Sequence, residues 1–153
     1  MKTYPDTSFL CALYRTQENS PQALAYRRKM PGPLIVTRLL LWEFRQSVRF
    51  QAFRHSKDPS VGYPLAGAEK MISDLGEDLD QGLVVIEDVD ILSVMIIGDR
   101  VSKTRTFTGG HRSFDILHVS TALALDADAF LSFDSNQNSL AIKEGMAAPL
   151  NRP

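Results

Sequence analysis

Four carboxylates in this 153-residue sequence stand where an acidic side chain could do chemistry. Asp6 follows a short, apolar-flanked start in Tyr4-Pro5-Asp6-Thr7-Ser8, and Asp134 closes Leu131-Ser132-Phe133-Asp134. Glu43 lies inside Leu39-Leu40-Leu41-Trp42-Glu43-Phe44, and Asp115 inside Arg112-Ser113-Phe114-Asp115-Ile116-Leu117-His118. Carboxylates gathered within a few ångströms repel one another and raise each other's pKa, and a divalent cation removes that conflict. Hard cations such as Mg²⁺ and Mn²⁺ prefer oxygen ligands. They acidify water and offset charge developing on a phosphoryl group. Each acid also has a plainer reading. Asp6 suits a helix cap, Asp115 favours a helix dipole, and Asp134 forms a turn. Neither capping nor solvation explains Glu43 well, because a charge in an apolar stretch needs something positive to meet it.

The elements that must position these residues alternate along the chain. Short apolar or β-branched runs predict strands near 2–5, 34–36, 83–86 and 129–133, with 146–150 as a candidate edge strand. Helices are expected over 8–15, 21–29, 38–54 and 64–80, then from Asp88 or Asp90 to about Arg105, and over 114–125. Ser20-Pro21 reads as a hydroxyl cap with proline at the first helical position, and Thr37 as the cap of the 38–54 helix. Residues 55–62 and 106–112 read as polar loops, and Asn138 as the start of a short last helix. This alternation implies a parallel sheet covered by helices on both faces, a three-layer α/β/α sandwich. No repeat or long linker interrupts it, so residues 1–153 are read as a single domain. Ligand sites in such sheets lie outside the carboxyl ends of the strands, where Asp6 and Asp134 stand. If the first and fourth strands are neighbours, those two aspartates sit side by side.

Composition narrows the classes. Hydrophobic residues at 44% and charged residues at 23% describe a globular chain rather than a disordered one. The net charge of −1 argues against a purely electrostatic nucleic-acid binder but not against a metal-dependent nuclease. No apolar run is long enough to span a bilayer, and the start of the chain reads as lacking a signal peptide. A lone cysteine, Cys11, makes no internal disulfide and reads as a packed core thiol, as expected of a cytoplasmic protein.

Taken together, the four motifs resemble the PIN-domain family, and within it the VapC-type toxins of toxin–antitoxin pairs. Asp6-Thr7-Ser8-Phe9-Leu10 resembles the family's strand-end aspartate, and Leu41-Trp42-Glu43-Phe44 its helix-borne glutamate. The segment from Phe114 through Ala122 resembles its aspartate-bearing helix, and Phe130 through Asp134 its fourth strand and terminal aspartate. The resemblance covers nearly the whole chain. It implies a parallel sheet of four or five strands and a Mg²⁺- or Mn²⁺-dependent endoribonuclease, with Asp6, Glu43, Asp115 and Asp134 as metal and catalytic residues. It also implies a homodimer and a cognate antitoxin.

Ser8, Asn136, His118 and Arg112 are candidate supporting residues, for metal waters or RNA. Their plainer readings are an ordinary helix-start hydroxyl, a turn residue, a structural histidine and a solvated arginine, and Arg105 shares both readings of Arg112, a contact to RNA phosphates or a solvated surface. An aspartyl-phosphate route in the haloacid-dehalogenase manner wants a second aspartate two residues on, where Ser8 stands. No lysine motif after the fourth strand supports a receiver, and no G-x-G-x-x-G follows the first strand for a dinucleotide. The remaining alternatives are a housekeeping PIN-type RNA-processing nuclease and a non-catalytic module that binds RNA or protein.

Overall fold

Short β-branched and apolar runs form four three-residue strands in a computed structural model that describes residues 1–150. Strand β1 (Thr3–Pro5) pairs in parallel with β4 (Ala129–Leu131), in the register Thr3–Ala129, Tyr4–Phe130 and Pro5–Leu131. Strand β2 (Leu34–Val36) pairs in parallel with β3 (Val84–Ile86). Every strand falls inside its expected segment. Where a fifth strand was expected, a single parallel bridge joins Ala147 to Ala129.

The helices are α1 (Thr7–Tyr14), α2 (Ser20–Lys29), α3 (Arg38–Lys57), α4 (Leu65–Asp80), α5 (Ile91–Gly109), α6 (Ser113–Ala124) and α7 (Ser135–Lys143). Thr37 caps α3 by accepting the Leu40 amide at 3.3 Å, as its sequence predicts. Several helices begin or end one residue from expectation, and four boundaries are instructive. α3 runs on to Lys57. α5 absorbs Thr106 to Gly109 and stops at Gly110, whose φ of +64° suits the residue after a helix end. Within the helix the Thr104 and Thr108 hydroxyls find acceptors in the Arg100 and Arg105 carbonyls. α7 starts at Ser135 rather than Asn138, because Asp134 caps it. Ser20 lies inside α2. Its hydroxyl donates to the Arg15 carbonyl and accepts the Gln17 amide, locking the preceding turn instead of capping the helix.

Contacts divide the chain into two compact units. One comprises Met1–Phe9 and the chain from Glu87 onward. Its core joins Tyr4 and Phe130 of the β1–β4 ladder to Val101 of α5, Ile116, Val119 and Ala122 of α6, and Leu140 and Ala141 of α7. Tyr4 and Phe130 stack with centroids 5.9 Å apart. Burying side chains of this size is worth about 1.5–3 kcal/mol each. The second unit is Leu10–Ile86, where α3 packs on α4 and α4 on β3. Tyr14 meets the edge of Phe44 and donates its hydroxyl to Asp78 at 2.7 Å. Cys11, expected in the core, is half-buried on α1. No described helix is long and apolar enough to cross a membrane.

Candidate metal centre

Asp6 leaves the carboxyl end of β1, and its amide extends the ladder by donating to the Leu131 carbonyl at 3.0 Å. Its carboxylate is buried, with 1% of the residue exposed. Oδ1 accepts the Ser8 hydroxyl at 2.7 Å and the Phe9 amide at 3.0 Å, which caps α1. Oδ2 accepts the Ser132 hydroxyl at 2.6 Å. Burial pushes the Asp6 carboxyl above its ordinary value of 3.8, against the opposing pull of the Ser132 and Ser8 hydroxyls, the Phe9 amide and His118. These hydrogen bonds hold the side chain in place without supplying a countercharge.

The β1–β4 pairing brings Asp134 to the same end of the ladder. Ser132 links the two segments, since its hydroxyl donates to Asp6 and accepts the Asp134 amide at 2.9 Å. Ser8 makes a second link by accepting the Phe133 amide at 2.8 Å. Asp134 is half-buried, and its Oδ1 caps α7 through the amides of Asn136 and Gln137. Its Oδ2 accepts no hydrogen bond among the described residues.

Asp115 is buried in the first turn of α6. Its Oδ2 accepts the Arg112 amide at 3.1 Å and lies 3.5 Å from the Arg112 guanidinium, while Oδ1 accepts no hydrogen bond among the described residues. Asp6, Asp115 and Asp134 thus each spend one oxygen on the start of a helix, where the partial positive charge of the exposed amides favours an anion. Glu43 lies half-buried on α3, in the Leu10–Ile86 unit.

Among the supporting candidates, the Ser8 hydroxyl donates to Asp6 Oδ1 at 2.7 Å. His118 is buried with 1% exposed, and its Nδ1 meets the Tyr4 hydroxyl at 2.9 Å. Asn136 is exposed on the first turn of α7, and the Arg112 side chain is 80% exposed. Arg105 does not project as a solvated arginine. It pairs with Glu144 at 2.8 Å, beside a second pair from Arg100 at 2.9 Å.

Three residues at this end of the ladder are not among the site candidates read from the sequence: Ser132, Tyr4 and Asn138. Asn138 is buried and donates Nδ2 to the Ser132 carbonyl at 3.0 Å. Only the Ser132 to Asp134 spacing at a strand end offered a signal for any of them.

Among the described residues, no three histidine, cysteine or acidic side chains already converge closely enough to cradle an ion. The donor chemistry nevertheless fits a hard divalent cation. The donors are carboxylate oxygens, two of them accept no hydrogen bond among the described residues, and the buried Asp6 lacks a hydrogen-bonded cation.

A search of curated proteins finds no match. The solved structures do contain similar folds. VapBC-1 of nontypeable Haemophilus influenzae aligns with a TM-score of 0.66 at 14% identity, covering 99% of this chain and 100% of its own. FitAcB of Neisseria gonorrhoeae aligns with a TM-score of 0.62 at 16% identity, covering 97% of each chain. VapC20 of Mycobacterium tuberculosis, described as a toxin that cleaves the sarcin-ricin loop, aligns with a TM-score of 0.61 at 12% identity, covering 90% of this chain and 93% of its own. The PIN domain matches residues 3–143, nearly the whole sequence, and the chain belongs to the PIN domain family.

Proposed function

We propose that this protein is a Mg²⁺- or Mn²⁺-dependent endoribonuclease acting as the toxin of a toxin–antitoxin pair. The observation that carries the reading is the Asp6–Ser132–Asp134 arrangement, a fully buried carboxylate hydrogen-bonded to the segment of a second acid at the carboxyl end of a parallel ladder. Asp6, Asp115 and Asp134 are the proposed ligands from one unit. Glu43 is the fourth, assigned from its sequence. When bound, the cation acidifies water and offsets charge on the phosphoryl oxygens. The protein's part is to hold the carboxylates rigidly. Ser8 and Ser132 fix both oxygens of Asp6, and the helix-start amides of α7 and α6 fix one oxygen each of Asp134 and Asp115.

Water, rather than the RNA 2′-hydroxyl, is the proposed nucleophile. His118, at 1% exposure and engaged with Tyr4, is poorly placed for general acid–base work on a substrate. Cleavage of single-stranded or looped RNA should therefore leave 5′-phosphate and 3′-hydroxyl ends. Loops are preferred because unstacked strands bend into a groove that a rigid A-form duplex cannot enter. End-group analysis with and without EDTA tests this. Cleavage that persists in EDTA, or that yields 2′,3′-cyclic phosphate, refutes the mechanism.

The family resemblance supports the antitoxin and homodimer assignments. An antitoxin segment offering a basic residue to the acidic site would match its charge. Expression of the protein alone is expected to arrest growth in its host cytoplasm, and co-expression with the antitoxin to relieve it. Unimpaired growth at high expression, with RNA cleavage intact in vitro, would favour a housekeeping nuclease. Metal-free, inactive protein that still binds RNA would favour a non-catalytic module.

A further inference from the structure

We propose that Tyr4 and His118 are a positioning pair, joined by a buried hydrogen bond that helps set the separation between Asp6 and Asp115. The inference rests on the metal-site reading above. The Tyr4 hydroxyl lies 2.9 Å from His118 Nδ1, and each residue is 1% exposed. Tyr4 stands two residues before Asp6 on the strand direction that the Asp6 amide continues, so both side chains leave the same face. His118 stands three residues after Asp115 on α6, on one helical face with it. The bond therefore joins the strand that delivers one acid to the helix that delivers the other.

The surroundings leave this bond little freedom. Tyr4 is stacked on Phe130, 5.9 Å away, and His118 lies tilted against Phe114 with centroids 6.4 Å apart. Apolar contacts are non-directional. The hydrogen bond adds a directional constraint, because it weakens as its angle departs from linear. Cation binding is sensitive to such shifts, since Mg²⁺ and Mn²⁺ sites demand near-octahedral oxygen geometry.

The test measures Mn²⁺ affinity by the loss of free-ion EPR signal, alongside thermal stability. Tyr4→Phe keeps the ring and its stacking and removes only the hydroxyl. Its Mn²⁺ affinity is expected to fall about three- to tenfold, the range set by the net worth of one buried hydrogen bond. His118→Asn retains a hydrogen-bonding atom near the Nδ1 position and is expected to keep most of the affinity. His118→Gln places its amide near the Nε2 position and is expected to lose affinity as Tyr4→Phe does.

Val119→Ala is the control, because it loosens the same core from the same helix without touching the bond. It should lower the melting temperature and leave affinity within about twofold, well short of the loss of one hydrogen bond. The inference is overturned if Tyr4→Phe binds Mn²⁺ like the parent protein, or if Val119→Ala weakens binding equally. A parent protein that takes up no Mn²⁺ defeats the metal-site reading itself and this inference with it. That result is distinct from a parent that binds while Tyr4→Phe is unaffected.

Discussion

Asp115→Asn is expected to lower Mn²⁺-dependent RNA cleavage by at least about a hundredfold, the upper range for losing even an outer-shell partner of a metal ligand. The substitution separates two roles of one side chain. Asp115 Oδ2 accepts the Arg112 amide at the start of α6, and an asparagine carbonyl oxygen can accept the same bond. The helix start therefore survives, and the melting temperature of the metal-free protein should move little. What disappears is the negative charge and the ligand character of the other oxygen. Cleavage rates at saturating Mn²⁺, with circular dichroism as the check on folding, measure both. If the variant cleaves RNA within a few-fold of the parent, Asp115 is a helix cap and no more.

Asp6→Asn should have the second-largest effect, and it reverses sign with metal. Burial raises the Asp6 pKa above 3.8 in the folded protein, so the native state holds its proton where the unfolded chain has released it. Between 3.8 and the raised value the native state binds more protons, so stability falls as pH rises through that window and stays lower above it. This is opposite to Asp90 and Glu144, whose lowered pKa values add stability above their ordinary range. The informative quantity is therefore the difference between parent and variant. Without metal, Asp6→Asn should gain stability relative to the parent as pH rises from 3.8 through the raised Asp6 value. With Mn²⁺ at about a hundred times its Kd, the parent gains about 2.7 kcal/mol and the variant little. Thermal melts across pH, with and without Mn²⁺, read out both halves. Parallel pH profiles for the two proteins would show that the Asp6 charge costs nothing, and an equal Mn²⁺ response would remove Asp6 from the ligand set.

Local signals in the sequence determined much of this protein. The strands at Leu34–Val36 and Ala129–Leu131 are short β-branched or apolar runs, and Thr37 caps α3 because a hydroxyl there reaches the Leu40 amide three residues on. Such choices depend on neighbours within one turn, so sequence carries them. Helix ends were less legible. α5 runs four residues past Arg105 and stops where Gly110, with its left-handed φ, ends the helix. α7 starts three residues early because Asp134 acts as a cap. Tertiary structure alone decided the pairing of β1 with β4, which places Ser132 on Asp6 across 126 residues of sequence. It also decided that His118 turns inward to Tyr4 and that Arg105 answers the Glu144 charge. These outcomes follow from which surfaces meet when the core closes. A buried carboxylate or imidazole takes whichever partner packing brings within reach, and no local pattern records that choice.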